Sequence, residues 1–177
     1  DPLWSRGLGD VYKRQYVDLT ESYKSLSEAL IHSGVANDCK IQIVYVDSEN
    51  LEKTGVEQGI RAANGGELTD AILIPGGFGI RGSEGKIAAA KYARETSLPF
   101  FGICLGLQIA TIEYARHVAG LTEATSAEFN PKSPCTVIDI METQKSVEQK
   151  GGSMRLGAYP CALKAGSKAK EIYGKAL

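Results

Sequence analysis

Long apolar runs are missing from this sequence. No stretch of the 177 residues approaches the roughly 20 apolar residues that a membrane-spanning helix needs, and the N-terminus lacks the apolar core of a signal peptide. Cysteine is sparse: Cys39, Cys104, Cys135 and Cys161 form no C-x-x-C and no close Cys/His cluster, which argues against a zinc site and a disulfide framework. Reduced thiols and a cytoplasmic setting are therefore expected. Neither sign of charge is in excess, with 20 Lys and Arg against 21 Asp and Glu and a formal net charge of −1, so bulk electrostatics draw neither nucleic acid nor an anionic membrane. Histidine is confined to His32 and His117. What remains is 43% hydrophobic, an ordinary content for one domain with a sizeable core.

The richest stretch is 99–108, Pro-Phe-Phe-Gly-Ile-Cys-Leu-Gly-Leu-Gln, which reads as a strand delivering Cys104 into a tight turn that opens a helix. Gly102 and Gly106 flank the cysteine two residues to either side, the G-x-S-x-G nucleophile elbow with sulfur in place of oxygen. A sharp strand-to-helix turn holds its nucleophile in a strained conformation and leaves no room for flanking Cβ atoms, hence the glycines. A thiol at the first turn of a helix meets the positive end of the helix dipole, a setting that favours the thiolate. A cysteine without such flanks reads better as a small buried hydrophobe.

Residues 1–15 follow neither the strand nor the helix period and are expected to lie outside the fold; Gly-Asp-Val-Tyr-Lys-Arg-Gln at 9–15 resembles translated adaptor sequence, so this tract reads as a non-native or disordered extension. From Tyr16, Leu19, Tyr23, Leu26 and Leu30 recur at helical spacing, with Asp18 or Thr20 to cap the start and Gly34 to end the helix. Residues 40–47 read as a strand, followed by a helical pattern to Ala63 and a break at Asn64-Gly65-Gly66. Residues 70–75 hold a short apolar strand of the kind buried on both faces of a parallel sheet. A helix over 84–95, a strand over 98–103 and a helix from Cys104 to Ala119 follow. The alternation predicts an α/β fold with a doubly wound, mostly parallel sheet. Beyond a loop at 128–134, a strand is expected over 136–141, short strands able to pair antiparallel at 154–157 and 159–163, and a helix over 167–173.

Pro75-Gly76-Gly77-Phe78-Gly79-Ile80-Arg81-Gly82 lies between a strand and a helix, and Gly77, Gly79 and Gly82 satisfy G-x-G-x-x-G. The dinucleotide fingerprint also needs an acidic residue about 20 positions on. Here the Cys104 elbow takes that place, and no Walker lysine stands at the P-loop spacing. In doubly wound folds ligands sit beyond the carboxyl ends of the strands, so this loop and the elbow are expected to be neighbours. Gly77 can then offer its backbone amide to an oxyanion formed by attack of Cys104, with the Leu105 amide as second donor.

Residues 75–79, Arg81-Gly82, Glu84-Gly85-Lys86, 92–95 and 102–108 together resemble the class I glutamine amidotransferase domain of the CTP synthase family; 16–20, 114–118 and 151–157 match the same family. The resemblance covers 16–177 and implies a flavodoxin-like class I amidotransferase fold, truncated at both ends. It implies that Cys104 attacks the side-chain amide of L-glutamine and forms a glutamyl thioester that water hydrolyses. It implies that Gly77 and Leu105 line the oxyanion site, and that they hold glutamine together with Gly106, Leu107, Gln108 and Glu128. Leucine stands at 107 where the family usually has methionine, a swap that conserves volume. Glu128 is chemically apt because a carboxylate pairs with the substrate ammonium; on the residues alone it reads as a solvated loop acid. The resemblance further implies an amidoligase (synthetase) domain of the same protein in which ATP and magnesium support amination of UTP to CTP. GTP is the implied activator, acting near Phe78 and Arg81, and a homo-tetramer is the implied assembly. No cofactor or metal is expected within this chain.

The family also uses a histidine base and an orienting glutamate from a segment beyond residue 177, so the chain alone is expected to be a poor glutaminase. His117 lies 13 residues along a helix from Cys104, about 20 Å at 1.5 Å per residue, too far to take the thiol proton. His32 sits near the end of the first helix, away from the strand C-termini. Two other readings remain: a DJ-1/PfpI-type cysteine hydrolase or chaperone, and a non-catalytic flavodoxin-like module in which Cys104 is unreactive.

Overall fold

The computed structural model describes residues 4–10, 23–140 and 160–174. Through Asp139 the chain forms one compact unit, and the remainder belongs to a second. In the first, four strands form a parallel sheet in the order β2-β1-β3-β4, from β1 (Trp4–Asp10), β2 (Lys40–Val46), β3 (Ala71–Ile74) and β4 (Phe100–Gly102). Between them come α1 (Lys24–Ala36), α2 (Ser48–Thr54), α3 (Val56–Ala63) and α4 (Ser83–Glu95), and after β4 comes α5 (Leu105–His117). Parallel neighbours need such crossovers because a tight turn joins only antiparallel strands.

The expectation that the N-terminal tract lies outside the fold fails over residues 4–10. Residues 4–10 are not outside the fold: they form β1, paired from Trp4↔Lys40 to Asp10↔Val46 on one side and from Gly7↔Ala71 to Gly9↔Leu73 on the other. The slot between two parallel strands supplies backbone partners on both sides, which outweighs the poor strand propensity of glycine and aspartate.

Helix limits also differ from expectation. Gly34 does not end α1 but sits buried within its last turn, because a Cβ there would lie 2.7 Å from the Cys39 carbonyl oxygen as the chain turns into β2. The expected caps Asp18 and Thr20 lie outside the described residues, and Tyr23 occupies the N-cap position. The single helical pattern after β2 is two helices, broken at Gly55 with φ +84°.

β3 is buried as a near-continuous apolar strand, with Ile72, Leu73 and Ile74 all in the core. Helix α5 turns Leu105, Ile109, Ile112 and Ala115 inward at helical spacing and leaves Leu107 and Tyr114 exposed. α4 and α5 pack on each other and on β3 and β4. The buried Glu113 of α5 accepts from Arg94 of α4 at 2.8 Å, and the ring of His117 approaches the same carboxylate at 3.3 Å. A small second sheet joins β5 (Thr125–Ser126) to β6 (Thr136–Ile138) in parallel, so the strand expected over 136–141 is shorter.

In the second unit, α6 (Lys168–Tyr173) starts at Ser167, whose hydroxyl accepts from the Lys170 amide at 3.2 Å. The strand expected at 154–157 lies outside the described residues, and 160–163 form no strand.

Candidate active site

Cys104 stands at the junction of β4 and α5 as the N-cap of the helix, with φ 52° and ψ −106°. A positive φ of this kind is strained for a residue bearing a Cβ, and such strain persists only where the surroundings enforce it. Here they do. A Cβ on Gly102 would lie 2.5 Å from the Gly106 carbonyl, and one on Gly106 would lie 2.1 Å from the Ile74 carbonyl oxygen. Both glycines therefore admit backbone-to-backbone approaches that no side chain permits, and the turn is held between them. The Ile103 amide donates to the Ile74 carbonyl at 3.0 Å, and the Leu107 and Gln108 amides donate to the Cys104 carbonyl at 3.1 and 3.2 Å. The Cys104 side chain is left exposed at the carboxyl end of the sheet.

The glycine-rich loop is its neighbour, as the strand order requires. A Cβ on Gly76 would stand 3.4 Å from the Cβ of Cys104, so the backbone at Gly76 passes beside the thiol-bearing carbon. The amides of Gly77 and Leu105 carry no hydrogen bond within the described residues. At Leu105 the reason is general, since first-turn amides have no carbonyl one turn earlier.

Four contacts hold the loop. The Tyr23 hydroxyl donates to the Gly76 carbonyl at 3.2 Å, at one end. The Gly79 amide donates to Glu128 Oε1 at 2.7 Å, at the crest. At the other end the Arg81 guanidinium binds both oxygens of Glu49, its Nη2 lying 2.7 Å from Oε2, and Lys86 Nζ donates to the Arg81 carbonyl at 3.1 Å. Burial of Lys86 in the first turn of α4 lowers its pKa from 10.5 to about 8, because desolvation penalises the charged amine.

The structure thus brings Cys104, Leu105, Gly106, Leu107 and Gln108 together with the backbone at Gly76, the neighbour of Gly77 in the chain, and ties Glu128 to the same loop at Gly79. Leu107 is exposed beside the elbow, and Gln108 holds a buried Oε1 with no hydrogen-bond partner among the described residues. Phe78 is 67% exposed on the loop. Neither histidine joins the group: His117 closes the far end of α5 and bonds Glu113, and His32 lies within α1. Sequence reading misses Tyr23, which counts there only as an apolar position of its helix, together with Glu49 and Lys86. Only the helical register and the position of Lys86 at the loop's exit hint at them.

A cleft of about 270 Å³ opens beside the loop, lined by Ile80, Ser83, Glu84, Arg116 and Glu123 among others, but it does not include Cys104. Arg116 is committed there to Glu84 at 2.9 Å and to the Ala124 carbonyl at 2.7 Å. Among the described residues no three His, Cys, Asp or Glu side chains are placed to hold a metal ion, and no helix is long and apolar enough to cross a membrane.

Comparison with known proteins is consistent with this geometry. Residues 18–175 match the sequence profile described as Glutamine amidotransferase class-I. The chain is 58% identical over 162 residues to the CTP synthase of Geobacter metallireducens and 53% identical over 161 residues to that of Syntrophus aciditrophicus. These alignments cover 90% and 91% of the chain but only 29% of each relative's length. Among solved structures, the glutaminase domain of Trypanosoma brucei CTPS with bound acivicin superposes with a TM-score of 0.69 at 38% identity, covering 81% of this chain and 52% of that one.

Proposed function

The chain belongs to the class I glutamine amidotransferase family, and from that membership we propose that it hydrolyses the side-chain amide of L-glutamine through a thioester on Cys104. The observation that carries the reading is the elbow itself: a strained, exposed Cys104 with the Gly76 backbone beside it, and the amides of Leu105, next in the chain, and of Gly77, next after Gly76, uncommitted among the described residues. The Cys104 sulfur bonds to the amide carbon, and the carbonyl pair moves onto oxygen, where the Gly77 and Leu105 amides receive it. Collapse of the intermediate breaks the carbon–nitrogen bond. The nitrogen leaves as ammonia, taking the proton that the thiol gave up. Water then attacks the thioester, releasing glutamate and restoring the thiol.

Gly106, Leu107, Gln108 and Glu128 hold the substrate. The Glu128 carboxylate, already positioned by the Gly79 amide, pairs with the α-ammonium, and Gln108 Oε1 is a buried acceptor with no partner among the described residues. The proton carrier between sulfur and leaving nitrogen is neither His32, within α1, nor His117, at the far end of α5.

For the whole protein we propose the CTP synthase reaction, supported by the relatives' names and by the 29% share of their length that the chain spans. The ammonia passes to the amidoligase domain, where ATP and magnesium activate UTP for conversion to CTP. GTP acts through the loop bearing Phe78 and Arg81, the assembly is a homo-tetramer, and the free thiols suit a cytoplasmic setting.

Titration calorimetry on the Cys104→Ala chain tests the pocket. L-glutamine binds, and adding Glu128→Ala weakens it about tenfold through loss of a charge-assisted pair. Absence of glutamine binding, or binding indifferent to Glu128, contradicts the reading and favours the DJ-1/PfpI-type alternative.

A further inference from the structure

Lys86 has no part in the chemistry above, yet its placement runs against local preference. It lies in the first turn of α4, where the helix dipole disfavours a cation, and its side chain is 4% exposed, so the ammonium is also desolvated. Helical side chains lean toward the N-terminus, and that lean carries Nζ back to the Arg81 carbonyl at 3.1 Å. Residues that break a local rule in this way concentrate at functional sites.

The bond falls at a decisive point. The loop leaves β3 at Pro75 and enters α4 at Gly82, and its first end is fixed by Tyr23 on the Gly76 carbonyl. Gly82 and Gly85 press on α2, where added Cβ atoms would lie 2.2 Å from Ser48 Oγ and 1.9 Å from the Ser48 carbonyl oxygen. The helix start is therefore rigidly seated. Lys86 links that rigid seat to the last loop residue, whose guanidinium binds Glu49 of the same α2.

We propose that Lys86 is a positioning residue: by holding the Arg81 carbonyl it fixes the far end of the 76–82 loop and, through it, the Gly77 amide that receives the oxyanion. This inference rests on the role of Gly77 as an oxyanion donor in the proposed glutaminase reaction.

Lys86→Met in the full chain tests it, because the substitution keeps the stem and removes the buried ammonium. Hydrogen–deuterium exchange over 76–82 rises about tenfold, as expected when a hydrogen bond from a charged donor is lost. Labelling of Cys104 by acivicin slows about tenfold, a partial loss of what removing an oxyanion donor causes. The melting temperature stays close to the parent's, since the change is confined to the end of the loop. Should Lys86→Met not fold, Lys86→Gln, a shorter neutral side chain with a polar end, carries the same measurements. Unchanged exchange in the loop, labelling within twofold of the parent, or a fall in melting temperature with faster exchange throughout the chain overturns the proposal. If the parent chain itself resists acivicin, the glutaminase reading fails, while the exchange data still decide whether Lys86 holds the loop.

Discussion

Cys104 carries its strain in the backbone, at φ 52° and ψ −106°. Glycine adopts that region without penalty, so Cys104→Gly removes the nucleophile and relaxes the turn together. The expected result is an unreactive chain that is more stable by about 1 kcal/mol, the relief of one sparsely populated conformation less the added backbone entropy. Its urea midpoint against the parent's checks this. The flanking glycines behave in the opposite sense. Gly106→Ala drives a Cβ to 2.1 Å from the Ile74 carbonyl oxygen and costs about 3 kcal/mol. Gly66→Ala, at φ +96° with open space around it, costs about 1 kcal/mol. Denaturant titration of the pair separates contact from conformation. The elbow is legible in the sequence because its requirement is local: glycines two residues to either side of a cysteine are what a tight strand-to-helix turn demands. Tyr23 is not, because a tyrosine on an apolar helix face gives no sign that its hydroxyl reaches a carbonyl 53 positions away.

The elements are legible where period and burial agree. β3 and α5 can be read because Ile72 to Ile74 and Leu105, Ile109 and Ile112 form unbroken apolar patterns. Their ends, set by contacts with other elements, cannot: Gly34 looks like a stop signal, and only the approach of Cys39 shows that it lies inside α1. Lys86 at the start of α4 ties element to site and gives a pH signature. Its pKa is lowered to about 8 against 10.5 in the unfolded chain, so between these values the unfolded state binds more protons and stability rises with pH. Below pH 8 the desolvation penalty is fully present, and near pH 10.5 it is gone. Lys86→Met removes that contribution. Melting curves of the two chains at pH 7.5 and 9.5 therefore converge as pH rises, and parallel curves contradict the assignment.

At the scale of the whole molecule, the parallel sheet makes the site, because it sets the ends of β3 and β4 side by side and turns both following segments toward one edge. That much follows from alternating strands and helices. The identity of the strand between β2 and β3 does not, since Ser5, Arg6, Gly7, Gly9 and Asp10 carry no strand signal and only the vacant ladder on both sides recruits them. Whether that arrangement presents Cys104 to glutamine is best measured by treating the chain with acivicin and locating the adduct by peptide mass spectrometry, with Cys39, Cys135 and Cys161 as internal controls. Selective modification of Cys104, suppressed by L-glutamine, is the predicted result. Uniform modification of the four thiols, or labelling of Cys104 that glutamine does not suppress, contradicts the account.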